Sequence, residues 1–368
     1  MNRFGFFIHP LDIKDVIRFE PKAADKRPAL VEKIIEWMPP YKASHITGLR
    51  SVTGQKAEGW FIAIPYMPSQ FISLHRREVY KKIIAGGKMA EGFGAQILGL
   101  GGFTSVAGDA GITVSKNLDI AVTSGNSYTI ATAIEATVKA AEMMGKELKK
   151  CKAAIVGATG SIGSVCAAIM APKVSRITLI SRNLQKLKKT AESVEKKTKV
   201  KPKITTDIDI GLRDADIIIA ASASSGGIIK SYHLKPGTLI CDVALPHDVC
   251  RTVANERPDV LVIEGGLVEV PGDVDFGYDF GYPPKIALAC MAETMILTLD
   301  GRFENYSLGR SLKVEKVELI AHLAKKHGFK LAGFRSFDKI VENDKIREVV
   351  QESKKAAAGR KIFTFLFG

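Results

Sequence analysis

Residues 153–163 read Ala-Ala-Ile-Val-Gly-Ala-Thr-Gly-Ser-Ile-Gly, a short apolar strand that leads directly into a glycine-rich turn. Glycines let the backbone turn tightly there, and the helix that follows offers free N–H groups and a positive dipole to a pyrophosphate. The order is Gly-x-x-Gly-x-Gly rather than the commoner Gly-x-Gly-x-x-Gly, but the strand before it and the helix after it are the context that the motif needs. This stretch predicts a dinucleotide site; the alternative is a tight turn that binds nothing.

Strand-like and helix-like segments alternate along the chain beyond this turn. Short β-branched runs separated by helical stretches predict a parallel sheet with helices on both faces. The fold class that we expect is therefore α/β, a Rossmann-type doubly wound parallel sheet. The predicted strands are 153–156, 176–181, 216–221, 238–243 and 260–264, and the helices between the first of them are 162–170 and 185–197.

The end of the second predicted strand indicates which dinucleotide is bound. An Asp or Glu at that place would accept a hydrogen bond from the adenosine 2′-hydroxyl and favour NAD. The chain has Ser181-Arg182-Asn183 instead, and an arginine can stack on adenine and pair with a 2′-phosphate. We therefore expect NADPH as the cofactor; the alternative is a surface arginine that faces solvent.

The later strands should also end at the cofactor, because open α/β sheets bind ligands at the carboxyl ends of their strands. Paired glycines after the last strand suit a close approach to the nicotinamide ring, although they are equally typical of a plain turn. The predicted cofactor-binding residues are Gly157, Thr159, Gly160, Ser161, Ile162, Gly163, Ser181, Arg182, Asn183, Ala221, Ser222, Asp242, Val243, Gly265 and Gly266.

The predicted sheet occupies the middle of the chain and leaves a segment on either side. The N-terminal segment has a strand-like stretch at 59–66 and a helix-like stretch at 80–89, and a long helix is predicted over 127–149. Further helices are expected over 285–300, 314–326 and 338–355. The expected domains are an α+β substrate or carrier domain at 1–126, the Rossmann NADP-binding domain with its preceding helix at 127–300, and a helical C-terminal extension at 301–368.

Composition and charge limit the kinds of partner that the protein can have. Of its 368 residues 46% are hydrophobic and 25% charged, as in ordinary soluble domains. Residues 1–9 do not resemble a signal peptide, and the longest apolar stretch, 286–299, contains Glu293, so we expect a cytoplasmic protein without a transmembrane segment. The formal net charge of +14 favours an anionic partner; a solvated lysine-rich surface with no partner is the alternative.

The five cysteines include one candidate nucleophile. None forms a CxxC pair, and the seven histidines are scattered, so reduced thiols and no metal site are expected. Cys290 follows the loop after Gly265-Gly266. A cysteine in such an apolar stretch is usually a core residue; the functional alternative is a thiolate that attacks an acyl thioester, leaving an acyl-enzyme for a hydride to reduce.

Several stretches of the chain resemble the long-chain acyl-(acyl-carrier-protein) reductases of cyanobacteria, which form fatty aldehydes. They are Leu100-Gly101-Gly102-Phe103-Thr104-Ser105, Thr123-Ser124-Gly125-Asn126-Ser127, residues 156–164 around the glycine turn, Gly265-Gly266-Leu267-Val268-Glu269, Ala289-Cys290-Met291-Ala292-Glu293 and residues 303–310. Residues 21–27, residues 270–282 and the tail beyond about 330 do not match the family.

The resemblance implies a two-step reduction. Cys290 would take the acyl chain from the phosphopantetheine thioester of the carrier, and NADPH would reduce the acyl-enzyme to a free fatty aldehyde. Asn126 and Ser127 would hold the carbonyl oxygen or the cofactor carboxamide, while a helix cap is the alternative for Asn126. The implied partners are an acidic acyl carrier protein, with coenzyme A thioesters as a second donor class, and an aldehyde-consuming enzyme. No nucleic-acid partner is expected.

Three other readings of the chain stay open at this point. A shikimate-dehydrogenase-like reductase of a small polar substrate would need a Lys/Asp pair in the N-terminal segment, for which Lys88 and Asp109 are available. A glutamyl-tRNA-reductase-like enzyme would carry its nucleophile there, and this chain has no cysteine before Cys151. A non-catalytic NADP-binding scaffold would use its basic tail to dock a partner or contact a membrane peripherally.

Overall fold

The computed structural model describes residues 1–222, 224, 226–244, 246–337 and 339–367, with side chains described as far as residue 358. In chain order its strands are β1 (Asn2–Ile8), β2 (Tyr41–Arg50), β3 (Lys56–Ala63), β4 (Ile97–Gly99), β5 (Ala121–Thr123), β6 (Lys152–Val156), β7 (Arg176–Ile180), β8 (Lys203–Thr205), β9 (Ile217–Ala220), β10 (Leu239–Asp242), β11 (Leu261–Glu264), β12 (Leu267–Glu269), β13 (Gly272–Asp275), β14 (Ile286–Leu288), β15 (Lys330–Leu331), β16 (Arg335–Ser336) and β17 (Lys339–Ile340).

The α-helices are α1 (Ile13–Phe19), α2 (Pro28–Trp37), α3 (Pro68–Ser73), α4 (Arg76–Gly92), α5 (Ile112–Ser115), α6 (Asn126–Met143), α7 (Ser161–Met170), α8 (Leu184–Thr198), α9 (Ile208–Leu212), α10 (Val253–Glu256), α11 (Ala289–Leu299), α12 (Val314–His327) and α13 (Asn343–Phe367). Short 3₁₀ helices occupy Pro21–Asp25, Gly102–Ser105, Leu148–Lys150, Ala171–Lys173 and Ser231–His233. Among the described residues, no helix combines the length and the apolar character that crossing a bilayer requires.

The chain forms two compact units that are not consecutive in sequence. Unit 1 contains Met1–Tyr128, Val268–Leu312 and Lys316–Lys330. Unit 2 contains Thr129–Leu267, Lys313–Glu315 and Leu331–Gly368. The structure thus divides the chain differently from the expected boundaries at 126 and 300. The reason is strand pairing, because β13 joins β2 at the edge of the first sheet, with Gly272 opposite Leu49.

The sheet of unit 2 has the strand order of a Rossmann fold. Its neighbours run β17-β16-β11-β10-β9-β6-β7-β8, and the six strands from β6 to β11 are parallel. Counted from β6 their order is 3-2-1-4-5-6, which places the topological switch point between β6 and β9. Ile217, Ile218 and Ile219 of β9 are fully buried, as expected of a central strand covered on both faces. The predicted α/β class and Rossmann-type sheet are confirmed.

The sheet of unit 1 runs β13-β2-β3-β1-β4-β5. The strands β3, β1, β4 and β5 are mutually parallel, and β2 and β13 are antiparallel additions at one side. The carboxyl ends of the four parallel strands therefore share one edge. Helix α11 packs across β1 and β4, and Gly99 makes this possible, because a Cβ there would lie 2.1 Å from Oγ1 of Thr294.

Three predicted helices differ from the observed ones. The helix expected over 338–355 is α13, which begins only at Asn343, after strand β17, and continues to Phe367. The long helix expected over 127–149 is α6, which ends at Met143, and a 3₁₀ turn follows it. The helix expected over 285–300 is divided into strand β14 and the shorter helix α11. Helix α11 consequently begins at Ala289, and Cys290 lies in its first turn rather than in its interior.

Candidate active site

The glycine turn of unit 2 lies at the switch point of its sheet. Gly157 follows β6 with a φ of +75°. A Cβ on Gly157 would lie 2.6 Å from the carbonyl oxygen of Ala221 and 2.7 Å from Cα of Ser222. The turn therefore passes directly against the end of β9, and only glycine fits this conformation and this space. The structure brings together the predicted residues Gly157, Ala221 and Ser222.

The helix after the turn is held close to the strand by a second glycine. A Cβ on Gly163 would lie 2.3 Å from the carbonyl oxygen of Gly157, whereas one on Gly160 would lie 3.2 Å from it. Helix α7 begins at Ser161, and its N-cap residue is Gly160, which has no side chain that could accept a hydrogen bond from the first N–H groups. The first backbone N–H groups of a helix have no intrahelical acceptor, so those of Ser161 and Ile162 are available to an anion. The turn thus has the shape and the donors that fit a dinucleotide pyrophosphate.

The end of β7 forms the side of this turn. Oγ1 of Thr159 and Oγ of Ser181 are 2.7 Å apart and share a hydrogen bond. Arg182 is exposed, and Asn183 is the N-cap of α8, where its side-chain oxygen accepts a hydrogen bond from the backbone N–H of Lys186 at 2.9 Å. The amide oxygen of Asn183 is therefore committed to the helix.

A buried aspartate that the sequence analysis did not single out shapes the loop after β9. Asp248 is fully buried and accepts hydrogen bonds from the backbone N–H of Ser222 at 2.9 Å, from Oγ of Ser222 at 2.5 Å and from Oγ of Ser224 at 2.7 Å. It fixes the loop that borders Gly157. Nothing in its local sequence distinguishes Asp248 from a surface acid.

The predicted residues at the ends of β10 and β11 have different surroundings: Asp242 is hydrogen-bonded to a loop, and Gly265 packs against a side chain. The carboxylate of Asp242 accepts hydrogen bonds from the backbone N–H groups of Ala244 at 3.0 Å and Val249 at 2.9 Å, so both of its oxygens hold the loop. Gly265 faces Val243, whose Cγ1 would lie 2.5 Å from a Cβ on that glycine. Gly266 follows with a φ of +101°. The role of these residues in cofactor binding stays a prediction.

Cys290 lies against the turn that follows β5. Gly125, in the middle of this turn, has a φ of +78°, and a Cβ on it would lie 2.3 Å from both Cα and Cβ of Cys290. The predicted stretch Gly125-Asn126-Ser127 and the predicted nucleophile are thus in contact within unit 1. Cys290 keeps partial solvent exposure. Asn126, also partly exposed, is the first residue of α6 rather than its cap.

A buried carboxyl group organises the surroundings of Cys290. Glu293 is fully buried and accepts hydrogen bonds from Oγ1 of Thr123 at 2.5 Å and from the backbone N–H of Tyr128 at 2.7 Å. Ser307 also hydrogen-bonds to this carboxyl group, and its Oγ donates to Oγ of the buried Ser127 at 2.7 Å. Ser127 is therefore committed to this network. The sequence analysis assigned no role to Glu293 or Ser307.

Four of the stretches that carry the family resemblance, residues 100–105, 123–127, 289–293 and 303–310, meet at this place in unit 1. The backbone N–H of Leu100 donates to the carbonyl oxygen of Thr123 at 2.8 Å, and that of Tyr306 donates to the carbonyl oxygen of Val122 at 3.0 Å. Helix α11 adds Cys290 and Glu293. Residues separated by up to about 200 positions thus form one continuous arrangement around the cysteine.

The cysteines of the chain differ strongly in their proton affinity. Burial, and to a smaller extent the charge of Glu293, raises the pKa of Cys290 to about 12, although backbone hydrogen bonds act in the opposite direction, so that its resting state at neutral pH is the thiol. Burial also raises the pKa of Cys241 to about 12. In contrast, hydrogen bonds from the side chain and backbone of Thr252 lower the pKa of Cys250, which is partly exposed. Cys250 is therefore the more readily ionised thiol, and Cys290 needs its site to become a nucleophile.

The Lys/Asp pair of the shikimate-dehydrogenase-like alternative is not formed. Nζ of Lys88 is 2.7 Å from Glu91 and 3.1 Å from Asp119. Asp109 accepts hydrogen bonds from the backbone N–H and Oγ1 of Thr113. Each of the two residues thus has a local structural partner instead of the other.

Comparison with known proteins identifies relatives for both parts of the chain. The family model for shikimate/quinate 5-dehydrogenase matches residues 139–264. The chain is 30% identical over 301 residues to the aminotransferase PigE of Serratia sp., covering 81% of this chain but only 35% of PigE, about a third of its length. It is 28% identical over 313 residues to the long-chain acyl-[acyl-carrier-protein] reductase of Synechococcus elongatus, covering 79% of this chain and 87% of that protein.

Two solved structures match parts of the chain at low TM-scores. The nucleotide-binding domain of glutamyl-tRNA reductase from Thermoplasma volcanium is 25% identical, with 36% of this chain and 84% of that chain covered and a TM-score of 0.28. Quinate dehydrogenase from Corynebacterium glutamicum is 12% identical, with 67% and 80% covered and a TM-score of 0.34.

The strand order of unit 2, its glycine turn and the match to a dehydrogenase family model agree with one another. The cofactor class is a nicotinamide dinucleotide, and the turn between β6 and α7 is its predicted site. The chain is distantly related to acyl-carrier-protein reductase, and unit 2 has the nucleotide-binding fold of NAD(P)-dependent oxidoreductases.

Proposed function

We propose that the protein reduces a long-chain acyl thioester to a fatty aldehyde with NADPH, through an acyl-enzyme on Cys290. The observation that carries the proposal is the packing of Gly125 directly on Cys290, in the first turn of α11, in a chain that also contains a dinucleotide-binding Rossmann unit. The similarity to the Synechococcus reductase over most of both chains supports the same chemistry.

The first step is acyl transfer to the cysteine. The sulfur of Cys290 attacks the thioester carbonyl, the new carbon–sulfur bond forms, and the carrier thiol leaves with the proton that Cys290 gives up. This exchange keeps the acyl group activated as a thioester. Because the pKa of Cys290 is about 12 at rest, the proton must leave as the bond forms. The partial exposure of Cys290 supports access of the acyl donor.

The start of α11 supports stabilisation of the oxyanion that forms during this attack. Cys290 is the second residue of the helix, so the N–H groups of the first turn and the positive end of the helix dipole are adjacent to it. Preorganised backbone donors of this kind stabilise a developing alkoxide. The side-chain amide of the partly exposed Asn126 is a further candidate donor for the same oxygen.

The second step returns the cysteine to its thiol. NADPH held at the turn between β6 and α7 would supply the hydride that the acyl carbon needs. Cys290 would then leave that carbon as the carbon–sulfur bond breaks, the aldehyde would be released, and the sulfur would take up a proton. The preference for NADPH is supported by the exposed Arg182 after β7, which can pair with the 2′-phosphate, and by the lack of an acid in Ser181-Arg182-Asn183. The proposal requires the acyl group on Cys290 and the nicotinamide to meet during turnover.

The proposed acyl donor is an acidic acyl carrier protein. The chain carries a formal charge of +14, and complementary charge between partners accelerates and orients encounter. Coenzyme A thioesters are anionic too and form a second class of donor. The proposal includes an aldehyde-consuming partner, since a free long-chain aldehyde is both reactive and poorly soluble.

Peptide mass spectrometry tests the acyl-enzyme. The protein is mixed with a palmitoyl carrier thioester without NADPH, and the acylated peptide is identified in the wild-type, Cys290→Ala and Cys250→Ala proteins. Cys250 is the matched control, because its lowered pKa makes it the thiol most prone to non-specific acylation. We expect the adduct on Cys290 in the wild type and in Cys250→Ala, aldehyde on addition of NADPH, and neither in Cys290→Ala. Acylation confined to Cys250, or aldehyde formation by Cys290→Ala, would refute the proposal.

A further inference from the structure

We propose that Glu293 is a positioning residue for Cys290, which clamps the turn of residues 123–128 onto the cysteine. This inference rests on the proposed function only for the role of Cys290 as nucleophile. Glu293 itself is assigned no contact with substrate or cofactor.

The geometry of the clamp is given by its hydrogen bonds. Thr123 ends β5 and donates to one oxygen of Glu293, while the N–H of Tyr128 in the first turn of α6 donates to the other. The backbone of Gly125, midway between them, contributes a further hydrogen bond. The carboxyl group thus holds both ends and the centre of the turn whose Gly125 presses on Cys290.

Cys290 and Glu293 are three residues apart on α11, so their side chains lie on the same face of the helix. That face is the one that receives the turn. A change in the position of the turn therefore reaches Cys290 directly, and a misplacement of about 1 Å at a reacting group can reduce catalysis roughly a hundredfold.

Folding alone does not explain an acid at this position. Glu293 is fully buried, and the hydrogen-bond donors described around it, Thr123, Ser307 and backbone N–H groups, are neutral. Burying a carboxyl group with only neutral partners costs folding free energy, which an apolar side chain of similar size would not. The acid is better explained by its hold on the turn at three points, Thr123, Gly125 and Tyr128.

The charge of Glu293 acts on two groups that face it. One is Cys290 on the same helix, whose pKa is raised by burial and further by Glu293. The other is Tyr306 from the segment after α11, whose pKa is raised by burial and then by Glu293. Burial raises the pKa of Glu293 as well, against the hydrogen bonds that lower it. Removing the negative charge is therefore expected to make the Cys290 thiol ionise at lower pH.

The test measures thiol reactivity separately from turnover. In a Cys250→Ala background, the rate of Cys290 alkylation by iodoacetamide is followed from pH 6 to pH 11 by peptide mass spectrometry, with no acyl donor or NADPH present. For Glu293→Gln we expect the pH profile to move down by about 1 unit. Because the pKa of Cys290, about 12, lies above the measured range, this shift appears as roughly tenfold faster alkylation at each pH. We also expect kcat to fall roughly tenfold or more. Thr298→Val, which removes a buried hydroxyl on the same helix, should change neither.

A second pair of variants keeps the carboxyl group and changes only the clamp. Thr123→Val removes the hydroxyl that donates to Glu293, and Thr123→Ser restores it. We expect kcat to fall in Thr123→Val and to recover in Thr123→Ser, without the downward pH shift of Glu293→Gln. If Glu293→Gln does not fold, the two Thr123 variants still test whether the clamp on the turn positions Cys290.

Two results would overturn the inference. One is an unchanged kcat in both Glu293→Gln and Thr123→Val. The other is alkylation that is accelerated equally in Glu293→Gln and Thr123→Val, which would show loosened packing alone. The alkylation measurement does not depend on whether the protein reduces acyl thioesters, and failure of the proposed function would appear separately as a lack of acylation on Cys290.

Discussion

At the scale of single residues, Arg182 is expected to decide between the two nicotinamide cofactors. It is exposed directly after β7, where a guanidinium can form charge-assisted hydrogen bonds with a 2′-phosphate. In Arg182→Ala the KM for NADPH should rise roughly tenfold or more, since such a bond contributes about 1.5–3 kcal/mol, while the KM for NADH should stay unchanged. Steady-state kinetics with both cofactors measures this. Arg213→Ala, which removes an exposed arginine before β9, is the control; an equal loss for NADPH and NADH in Arg182→Ala would contradict the prediction.

The residues that the sequence could predict are those whose role is local. Gly157 and Gly163 serve a turn and a helix start within seven positions of each other, so their pattern can be recognised from the sequence alone. Glu293 and Asp248 were missed because their roles depend on partners far along the chain, or on a loop that only the fold closes. Glu293 bonds Thr123 across 170 positions, and a lone acid in an apolar run has no sequence signature that distinguishes a buried clamp from a half-buried helix residue.

At the scale of secondary-structure elements, the contact between β6 and α7 should control dinucleotide binding. A Cβ at position 163 would lie 2.3 Å from a backbone oxygen, which cannot move aside as a side chain can. Gly163→Ala should therefore displace α7, lower the free energy of unfolding by about 1–3 kcal/mol and weaken NADPH binding. Gly160→Ala meets the same oxygen at 3.2 Å and should weaken binding less. Titration calorimetry with NADPH compares the two variants; equal affinity of Gly163→Ala and wild type would argue against this account.

Element boundaries were predictable only where the chain itself marks them. Five strands of unit 2, β6, β7, β9, β10 and β11, were placed within a few residues of their observed limits, whereas β8, β16 and β17 were not predicted. The helix expected over 285–300 was too long, because apolar periodicity does not separate strand β14 from helix α11. Residues 270–282, which matched no family pattern, contain β13 and the rings of Phe276 and Phe280 packed on Phe61. The strand β2 that pairs with β13 lies more than 200 positions earlier, so a local sequence pattern cannot predict this pairing.

At the scale of the whole molecule, fold class followed from the alternation of strands and helices, whereas the division into units did not. Right-handed crossovers between parallel strands leave few possible sheet orders, and unit 2 has the common one. Unit 1, in contrast, combines residues 1–128 with 268–312 and 316–330. This assembly depends on which surfaces pack together, so the expected linear boundaries could not anticipate that Cys290 belongs with the N-terminal segment.

The net charge of the whole chain predicts that binding of the proposed acidic carrier depends on salt concentration. If an acidic carrier is attracted by a protein of charge +14, raising ionic strength from about 0.05 to 0.5 M should raise the KM for the acyl carrier substrate several-fold, because screening shortens the range of attraction. The uncharged acyl-N-acetylcysteamine thioester with the same chain should show no such rise, since it presents the same acyl group without the carrier. Initial rates of aldehyde formation with both donors across the salt range provide the measurement. A parallel rise for both donors would place the salt effect on the reductase itself, and an unchanged KM for the carrier substrate would mean that charge does not guide its binding.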